Sequence, residues 1–542
     1  MSESEDPVPL PSRIASLVHA HFDALPTRSK PSIFPDGSRE WIPMTGIVIV
    51  ADGFIGAYSL NRRKYTFRES ALYYNYIHRS GAKCLSASHI PHCRGLVLHD
   101  CHAEILAIRA FNHWLLTECH SLLAEEIIAK DNADSVCENR PISPFIRRRE
   151  GKDHKIKTST KWPPFELQPD IKIYMYCTCA PCGDASMELC MASQEDATPW
   201  EVMQEKASNP EESEGEMLDG RAHFSLLGVV RRKPARMDAE STRSKSCSDK
   251  LALRQVSSLL SCETSRLVAP TESAYLAGLI LPEDEISQSG CERSFGESGR
   301  MKALAGRSWA GSSSTTPGGD TAGYRFRPFQ VLSVSAEQIE SQWRFSKMKR
   351  DSSSLSTDGS EKAKPAVVSK KNRPSNVSAI WTAAPSYSHT CAALVDTGSK
   401  SLPALNKTKT GLFENVINGG IVLLPLLRGG ASSLSRAKLW GLARNVIQPS
   451  ACHGPPGPLQ EELSMSEVDR VDHGSLGIFQ QHVLQSTTYD EFKRAIGGST
   501  DPNQVRVDAM NDAKAVLKGW VPNSGDENWG LDVLIDPQKR KR

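Results

Sequence analysis

The stretch HDCHAEILAIRAF, His99–Phe111, determines how the rest of the chain is interpreted. It places His102 and Glu104 directly before a segment whose apolar residues have helical spacing, which predicts a helix over Glu104–Leu116. Residues two positions apart in a regular helix are rotated by about 200° about the helix axis. The two side chains therefore converge best where the chain enters the helix. There a histidine can bind a metal while the neighbouring carboxylate transfers protons. The stretch therefore predicts a metal-assisted acid–base site.

A second stretch, CTCAPCGDASMELC, Cys177–Cys190, offers thiols. Pro181 is typical of a first helical position, so we expect a helix over Pro181–Met191. Cys182 would then lie at a helix N-terminus, where the dipole favours the thiolate that binds metals. Zinc deaminases of nucleobases carry H-x-E followed by P-C-x-x-C. Here Ala185 stands where the second cysteine is expected, so the third ligand must come from elsewhere.

The best candidate for the third ligand is Cys247 in SKSCSDKLA, Ser244–Ala252. An alternative stays open, since Cys177 and Cys179 could form a C-x-C-x-x-C site with Cys182. A strand end often buries cysteine as a small apolar residue, which argues against that set. The cluster HIPHC, His89–Cys93, has no partner at metal-ligand spacing and is interpreted as structural or surface.

H-A-E, P-C-G-D-A and the remote S-C-S-D-K together resemble the adenosine deaminases that act on RNA and tRNA. APCGDASMEL is most similar to the eukaryotic tRNA branch, and the resemblance runs from about Ile14 to Trp520. It implies that zinc is bound by His102, Cys182 and Cys247, and that Glu104 transfers protons. It also implies an α/β fold: a cytidine-deaminase-like core with a mixed sheet and flanking helices, extended by a helical C-terminal part.

The chain is expected to form one domain from about residue 14 to residue 534. Ile14–Leu25 has the pattern of an amphipathic helix, and Gly46–Val50 and Ile171–Met175 are predicted to be strands. Low hydrophobicity predicts disordered insertions over 193–220, 287–323 and 347–378. A basic tail, KRKR, occupies residues 539–542.

The resemblance also implies inositol hexakisphosphate buried behind the active site. A buried polyanion requires cations that lack carboxylate partners. The positions that match the family's contacts are Arg109, Lys250, Tyr489, Lys493, Lys514 and Trp520. In the alternative interpretation, the C-terminal residues of this set belong to an exposed basic helix.

The chain departs from the family pattern at four places. Ile108 and Leu253 stand where the family has arginines, and Met510 where it has an aromatic residue. Residues Gly419–Gly430, GGIVLLPLLRGG, lack the polar, basic character expected there, and we have no physical account of this stretch. These departures remove contacts from the expected polyphosphate site.

Composition limits the environment of the protein. Of 542 residues 39% are hydrophobic, the net charge is +2, and no apolar run is long enough to span a membrane. The acidic, proline-rich N-terminus is unlike a secretory signal, so we expect an intracellular protein of the nucleus or cytoplasm, with its 14 cysteines mostly reduced. The basic runs at 147–149 and 231–236 are either solvated charge or phosphate contacts.

The expected function is deamination of adenosine to inosine in tRNA, and the resemblance implies position 37 of alanine tRNA. The segment before Gly46 is too short for a separate double-stranded-RNA-binding module, which favours a structured tRNA loop over long duplexes. Two other classes of protein compete with this one. A zinc-structured RNA-binding protein without catalysis has no need of Glu104, and deaminases of free nucleosides are typically far shorter chains.

Overall fold

A computed structural model describes the greater part of the chain, and every structural statement below concerns that part. The described residues are 8–25, 27, 30–51, 70–71, 74–76, 84–131, 143–150, 160–193, 218–220, 226–233, 240–309, 323–346, 373–375, 379–383, 385, 406–407, 411–415, 431–447, 483–494 and 502–535.

The strands are numbered in chain order. They are β1 (Glu40–Trp41), β2 (Met44–Ala51), β3 (Ser70–Ala71), β4 (Tyr74–Tyr76), β5 (Ile146–Glu150), β6 (Thr160–Leu167), β7 (Ile171–Cys177), β8 (Leu218–Asp219), β9 (Arg231–Arg232), β10 (Leu276–Pro282), β11 (Ser308–Trp309), β12 (Tyr324–Arg325), β13 (Gln330–Val334), β14 (Arg373–Pro374), β15 (Ala379–Ala383), β16 (Asn406–Lys407) and β17 (Gly411–Asn415).

The α-helices are numbered in the same way. They are α1 (Leu10–Asp23), α2 (Ala103–Asp131), α3 (Met187–Ala192), α4 (Cys247–Ser257), α5 (Gln288–Phe295), α6 (Ala336–Gln342), α7 (Arg436–Ile447), α8 (Tyr489–Arg494) and α9 (Pro502–Val516).

One mixed sheet organises the fold. Its central strands lie in the order β13-β10-β7-β2, and short strands continue it beyond β2 in the order β4-β15-β17-β16. β13, β10 and β7 run parallel, whereas β2 pairs antiparallel with β7 from Thr45↔Cys177 to Ala51↔Ile171. Parallel neighbours require crossover connections, and α4 and α5 lie in the two connections concerned.

Each face of the sheet is covered by helices because β2 alternates its apolar side chains between the two faces. Ile47 and Ile49 contribute to the core under α2. This core also contains residues of α7 and α8, and Trp529 from the C-terminal part of the chain. Val48 and Val50 contribute to the core under α1 and α6. This period-of-two pattern produces a helix–sheet–helix sandwich. A third apolar cluster joins α4, α9 and the β11–β12 pair.

Most predicted elements are confirmed. The helix predicted over Ile14–Leu25 corresponds to α1, and the strands predicted over Gly46–Val50 and Ile171–Met175 are β2 and β7. The helix predicted over Glu104–Leu116 is α2, which continues to Asp131. Helices α7 to α9 bear out the helical C-terminal part.

The helix predicted over Pro181–Met191 is wrong in its first half. Gly183 has φ 106°, so the chain turns there, and only a 3-10 turn over Asp184–Ser186 and then α3 follow. A Cβ on Gly183 would lie 2.2 Å from Ser246 Oγ, which shows how closely this turn packs on the start of α4. Cys182 therefore precedes the helix instead of opening it.

The disorder predicted over 287–323 is wrong for residues 287–309. This segment forms α5, a 3-10 turn and β11, and it buries Cys291, Phe295 and Leu304. Part of its low hydrophobicity comes from glycines that close packing requires. A Cβ on Gly290 would lie 2.6 Å from a neighbouring backbone oxygen, and a Cβ on Gly299 would lie 2.5 Å from another. Residues 310–322 lie outside the described part.

The other two predicted insertions, 193–220 and 347–378, lie almost wholly outside the described residues, apart from Ser193, 218–220 and 373–375. The stretch 419–430 and the basic tail lie outside them too. Within the described part, no helix has both the length and the apolar character needed to cross a membrane.

Gly95 allows the C-terminal segment to pack against the sheet. Its φ is 68°, and a Cβ there would lie 2.1 Å from the Trp529 ring. Gly95→Ala is expected to lower the free energy of unfolding by about 2–5 kcal/mol, because backbone strain and a buried clash add. Gly306→Ala is the control, since Gly306 has φ 72° with open space around it and carries only the strain. Equal losses in urea unfolding would contradict a role for the Trp529 contact.

Candidate active site

Three segments that are distant in sequence meet near the C-terminal end of β7, a central strand of the sheet. His102 lies immediately before α2, Cys182 follows β7, and Cys247 is the first residue of α4. Their ligand atoms all lie within 4.8 Å of one another. His102 Nδ1 is 3.6 Å from Cys182 Sγ and 3.5 Å from Cys247 Sγ. The structure thus brings together the three residues that the sequence nominates as metal ligands.

The start of α4 fixes two of these residues at once. Ser246 caps the helix, because its hydroxyl accepts from Asp249 N at 3.1 Å and donates to the Asp249 carboxylate at 2.6 Å. The Cys247 amide then points at Cys182 Sγ over 3.4 Å. Ser248 N and Ser248 Oγ both donate to Cys182 O at 3.0 Å. The helix N-terminus therefore favours thiolate on Cys182, although Cys182 belongs to the turn packed against it.

The set of donor atoms suits zinc. One imidazole nitrogen and two thiolates are typical ligands of zinc, and three protein ligands leave a fourth position open, as in catalytic zinc sites. The alternative with Cys177 and Cys179 gains no support among the described residues. Cys177 Sγ instead accepts a hydrogen bond from Thr45 Oγ1 at 3.3 Å, and no metal-like group there contains either cysteine.

Glu104 lies in the first turn of α2, next to this group. Its side chain is 7% exposed. Burial raises the pKa of Glu104, the Cys182 thiolate raises it further, and His102 and Lys233 act in the opposite direction. A carboxyl group that holds its proton more tightly than usual is suited to accepting and returning protons near neutral pH.

Two residues that the sequence does not nominate support the site. Asp100 Oδ1 accepts from the His102 backbone N–H at 2.9 Å. Asp100 Oδ2 accepts from Lys233 Nζ at 2.9 Å and from Ser244 Oγ at 2.7 Å, and it also pairs with Lys250. Lys233 Nζ in turn donates to Cys247 Sγ at 3.3 Å. A chain of hydrogen bonds thus runs from Lys250 through Asp100 and Lys233 to a candidate ligand.

The charges in this chain are well matched. Although burial opposes it, Lys233 and Lys250 hold the pKa of Asp100 well below its usual range. Burial also opposes the charge on Lys233, but Asp100 and Cys247 raise its pKa well above the usual value. A hydrogen bond from Cys247, together with Lys233 and His102, lowers the pKa of Cys182 well below that of an ordinary thiol. The thiolate form is therefore favoured at Cys182, whereas burial and the neighbouring Cys182 raise the pKa of Cys247 well above that of an ordinary thiol.

Helix α5 supports the Cys182 turn from the other side. Asp184, 1% exposed, accepts from Arg293 Nε at 3.1 Å, Ser294 Oγ at 3.0 Å and the Gly228 amide at 2.7 Å. Arg293 also donates to Glu188 at 2.7 Å. The segment for which composition predicts disorder therefore holds the turn that carries Cys182.

The interpretation of HIPHC as structural or surface fits the structure. Its 3-10 turn exposes His89 and His92 while Cys93 is buried. Cys93, His99 and Asp526 lie close enough to hold an ion. However, hydrogen bonds already occupy Asp526, which accepts from His99 Nε2 and the Gly95 amide, both at 2.9 Å, and from Arg436. We interpret this group as the link between the 93–99 segment and the C-terminal residues.

The basic runs are partly buried, so the interpretation as solvated charge is wrong for their buried residues. Arg231 is 1% exposed, and Lys233 belongs to the Asp100 network. Arg149 is buried and donates to Pro163 O at 3.0 Å. Only Arg147 is half exposed, and it pairs with Glu166 at 2.6 Å. Residues 234–236 lie outside the described part.

A second cluster of cations lies behind the site. Arg109 and Arg254 are partly buried near one another, and the buried Arg506 and the partly buried Lys514 continue the group along α9. Burial, together with the charges of Arg506 and Arg109, lowers the pKa of Arg254 to about 9. Burial also lowers the pKa of Lys514, and Arg506 and Lys493 add to that effect. Among the described residues these four cations make no ion pair with a carboxylate. Such a cluster fits a polyanion, which would supply the missing negative charge.

The other residues predicted to contact a polyphosphate occupy different settings. Lys250 pairs with Asp100, and the side chain of Lys493 is 42% exposed, 3.9 Å from Glu527. Tyr489 is buried and donates to Glu263 at 2.6 Å. Lys245 Nζ lies 5.4 Å from the centre of the Trp520 ring. Lys493 is therefore at the rim of the cluster.

The departures from the family pattern are accommodated by apolar packing. Ile108 and Leu253 are 4% and 7% exposed within apolar cores, and Met510 packs against the cluster of α4 and α9. Each position thus faces protein instead of the cation cluster. The positive charge of the cation cluster comes in part from Arg254 and Arg506, two residues that sequence reasoning does not nominate.

Comparison with known proteins agrees with this geometry. Residues 79–295 match the family described as the adenosine-deaminase (editase) domain. The chain is 34% identical over 320 residues to tRNA-specific adenosine deaminase 1 of Schizosaccharomyces pombe, which covers 59% of this chain and 66% of that protein. It is 31% identical over 297 residues to the protein of that name from Saccharomyces cerevisiae, covering 53% and 62%. A shorter match, 36% over 108 residues, links it to double-stranded RNA-specific editase B2 of Rattus norvegicus, covering 20% and 11%.

Over residues 79–295 the chain is similar to the adenosine-deaminase (editase) domain, and the grouping of one histidine and two cysteines agrees with that similarity. Its matches span just under two thirds of the length of the two yeast tRNA-specific adenosine deaminases.

Cys247→Ser is expected to lose bound zinc, because a hydroxyl is a poor substitute for a thiolate ligand. Cys179→Ser is the matched control and should retain about one zinc per chain. Metal content of the purified proteins, measured by mass spectrometry, checks both. Full zinc retention in Cys247→Ser, or loss in Cys179→Ser, would show that the third ligand has been misassigned.

Proposed function

We propose that this protein is a zinc-dependent deaminase that hydrolyses adenosine to inosine in tRNA. The observation that carries the proposal is the meeting of His102, Cys182 and Cys247 beside the buried Glu104, within an editase domain. We also assign its sheet and flanking helices to the cytidine-deaminase type.

The chemistry divides between a metal and a carboxylate. His102, Cys182 and Cys247 would hold zinc, whose Lewis acidity makes a water nucleophilic near neutral pH. Glu104 would accept a proton from that water and deliver protons to N1 of adenine and to the departing amine. Water adds at C6, ammonia leaves and inosine remains, so the reaction balances. Lys233 would donate to Cys247 Sγ and the Cys247 amide to Cys182 Sγ, so each sulfur would have a hydrogen-bond donor beside it.

The substrate is proposed from the relatives. Two of them are named as tRNA-specific adenosine deaminases, and they match over more of this chain than the double-stranded RNA-specific editase does. An adenosine must leave its stack to reach a buried metal, which favours a loop nucleotide. We propose position 37 of alanine tRNA, on the sequence resemblance alone.

We further propose that the cation cluster binds inositol hexakisphosphate. Arg109, Arg254, Arg506 and Lys514 lack carboxylate partners in the described part of the chain, and Lys250 connects their neighbourhood to Asp100. Burying several uncompensated like charges costs several kcal/mol each even after relaxation. The anion would therefore be part of the folded core.

Glu104→Gln is expected to keep its zinc and fold while losing about 10³–10⁴-fold in turnover, since one side chain handles several protons. Turnover is measured as inosine formed in purified alanine tRNA. Glu337→Gln, at an exposed position of α6, is the control and should be unaffected. Near-normal turnover in Glu104→Gln would refute the mechanism, whereas absence of inosine formation by the wild type would favour an RNA-binding protein whose zinc is structural.

Protein produced in cells that cannot synthesise inositol hexakisphosphate is expected to be insoluble or inactive, because the cation cluster would be uncompensated. Solubility and inosine formation are compared with protein from the same cells after the missing kinase is restored. Soluble, fully active enzyme from the deficient cells would contradict a structural polyphosphate.

A further inference from the structure

Arg254 lies on the side of α4 that faces the cation cluster. It follows Lys250 by one helical turn, so the two side chains share a face, whereas Leu253 points into an apolar core. Arg254 Nη1 donates to Leu260 O at 2.9 Å and to Ser258 O at 3.3 Å. These carbonyls orient the guanidinium but leave its charge uncompensated.

Arg506 reaches the same place from α9. It is 7% exposed, and its Nη2 lies 3.4 Å from the same Leu260 O. Arg506 Nε is buried and has no hydrogen-bond partner among the described residues. Two guanidinium groups from different ends of the chain thus converge on one carbonyl oxygen.

This convergence is unfavourable for a site without an anion. Like charges at close range in a buried setting repel strongly, and a neutral carbonyl does not cancel them. The Glu263 carboxylate acts on Arg254 without forming an ion pair with it among the described residues, and one of its oxygens accepts from Tyr489 at 2.6 Å. The free Nε–H of Arg506 and the planar forks of both arginines match a phosphate group, which arginine binds through paired N–H donors.

We propose that Arg254 and Arg506 together bind one phosphate group of the buried polyphosphate. They compensate for the family's arginine that Leu253 replaces and for the aromatic residue that Met510 replaces. This inference rests on the polyphosphate part of the proposed function. It assigns two binding residues that the family pattern does not supply, one from α4 and one from α9.

The pairing also makes the anion a bond between the two helices. α4 begins at Cys247, whereas α9 belongs to the C-terminal part of the chain. A phosphate held between Arg254 and Arg506 would attach α9 to the helix that carries a candidate zinc ligand. Loss of either arginine should therefore loosen the anion even though the apolar packing between α4 and α9 persists.

The test compares wild type with Arg254→Met and Arg506→Met, both purified from cells that make inositol hexakisphosphate. The readout is the inositol hexakisphosphate released on denaturation after timed dialysis, measured by mass spectrometry. Each variant should release the anion about 10- to 100-fold faster than wild type, because charge-assisted hydrogen bonds are removed. Lys518→Met, at an exposed position just after α9, is the control and should match wild type.

A second measurement separates anion binding from a merely structural role. Where protein stripped of the anion after purification stays soluble, Arg506→Met should unfold at a higher urea concentration than wild type, because it removes a repelling charge. With the anion bound, the order should reverse. If the methionine variants are insoluble, Arg254→Lys and Arg506→Lys decide, since lysine keeps the charge but lacks the fork.

Release of the anion at the wild-type rate from both Arg254→Met and Arg506→Met would overturn the proposal. If Arg254→Lys and Arg506→Lys are used instead, release at the wild-type rate from both would overturn it as well. A wild-type protein that carries no inositol hexakisphosphate would overturn it together with the polyphosphate assignment. Neither result bears on deamination, which is measured separately as inosine in tRNA, so failure of the two proposals can be told apart.

Discussion

The Asp100 carboxylate fixes the positions of the groups around the candidate metal site. One oxygen accepts from the backbone of His102, and the other accepts from Lys233, Ser244 and Lys250. Each partner belongs to a different part of the site, so one buried side chain sets their separations. Removing one partner from a buried ion pair typically costs about 3–5 kcal/mol, because the other charge remains uncompensated. The candidate ligands and the cation cluster are therefore energetically connected.

The local features of the site can be predicted from the sequence. His102 and Glu104 lie at the start of a helix whose first turns have apolar residues at helical spacing, and Cys182 follows a strand with a clear apolar run. Asp100 and Lys233 cannot be predicted as its support, because their contact spans 133 positions and leaves no local pattern. The turn at Gly183 escapes sequence reasoning because its positive φ is required by packing against Ser246, which is distant in sequence. Similarly, the composition of α5 resembles that of a disordered segment because glycine and serine there serve close packing.

The cation cluster makes the two ends of the domain depend on one another. Arg109 lies on α2, which begins just after the candidate ligand His102, and Arg254 lies on α4, which begins at Cys247. Arg506 and Lys514 come from α9. Apolar packing brings α4 and α9 together, and it also brings their charges together. A polyanion offsets that repulsion, so the same ligand would stabilise the fold and hold α4 in place. Composition does not reveal this arrangement, since a net charge of +2 conceals a local excess of buried cations.

The measurement that tests the central claim most directly is deamination in water enriched in oxygen-18. Purified protein is incubated with alanine tRNA, and the nucleosides are then analysed by mass spectrometry. Hydrolysis at the proposed site predicts inosine at one position of the tRNA, carrying one oxygen-18 atom at C6, and no inosine from free adenosine. Absence of inosine in the tRNA, or inosine without the label, would contradict the account.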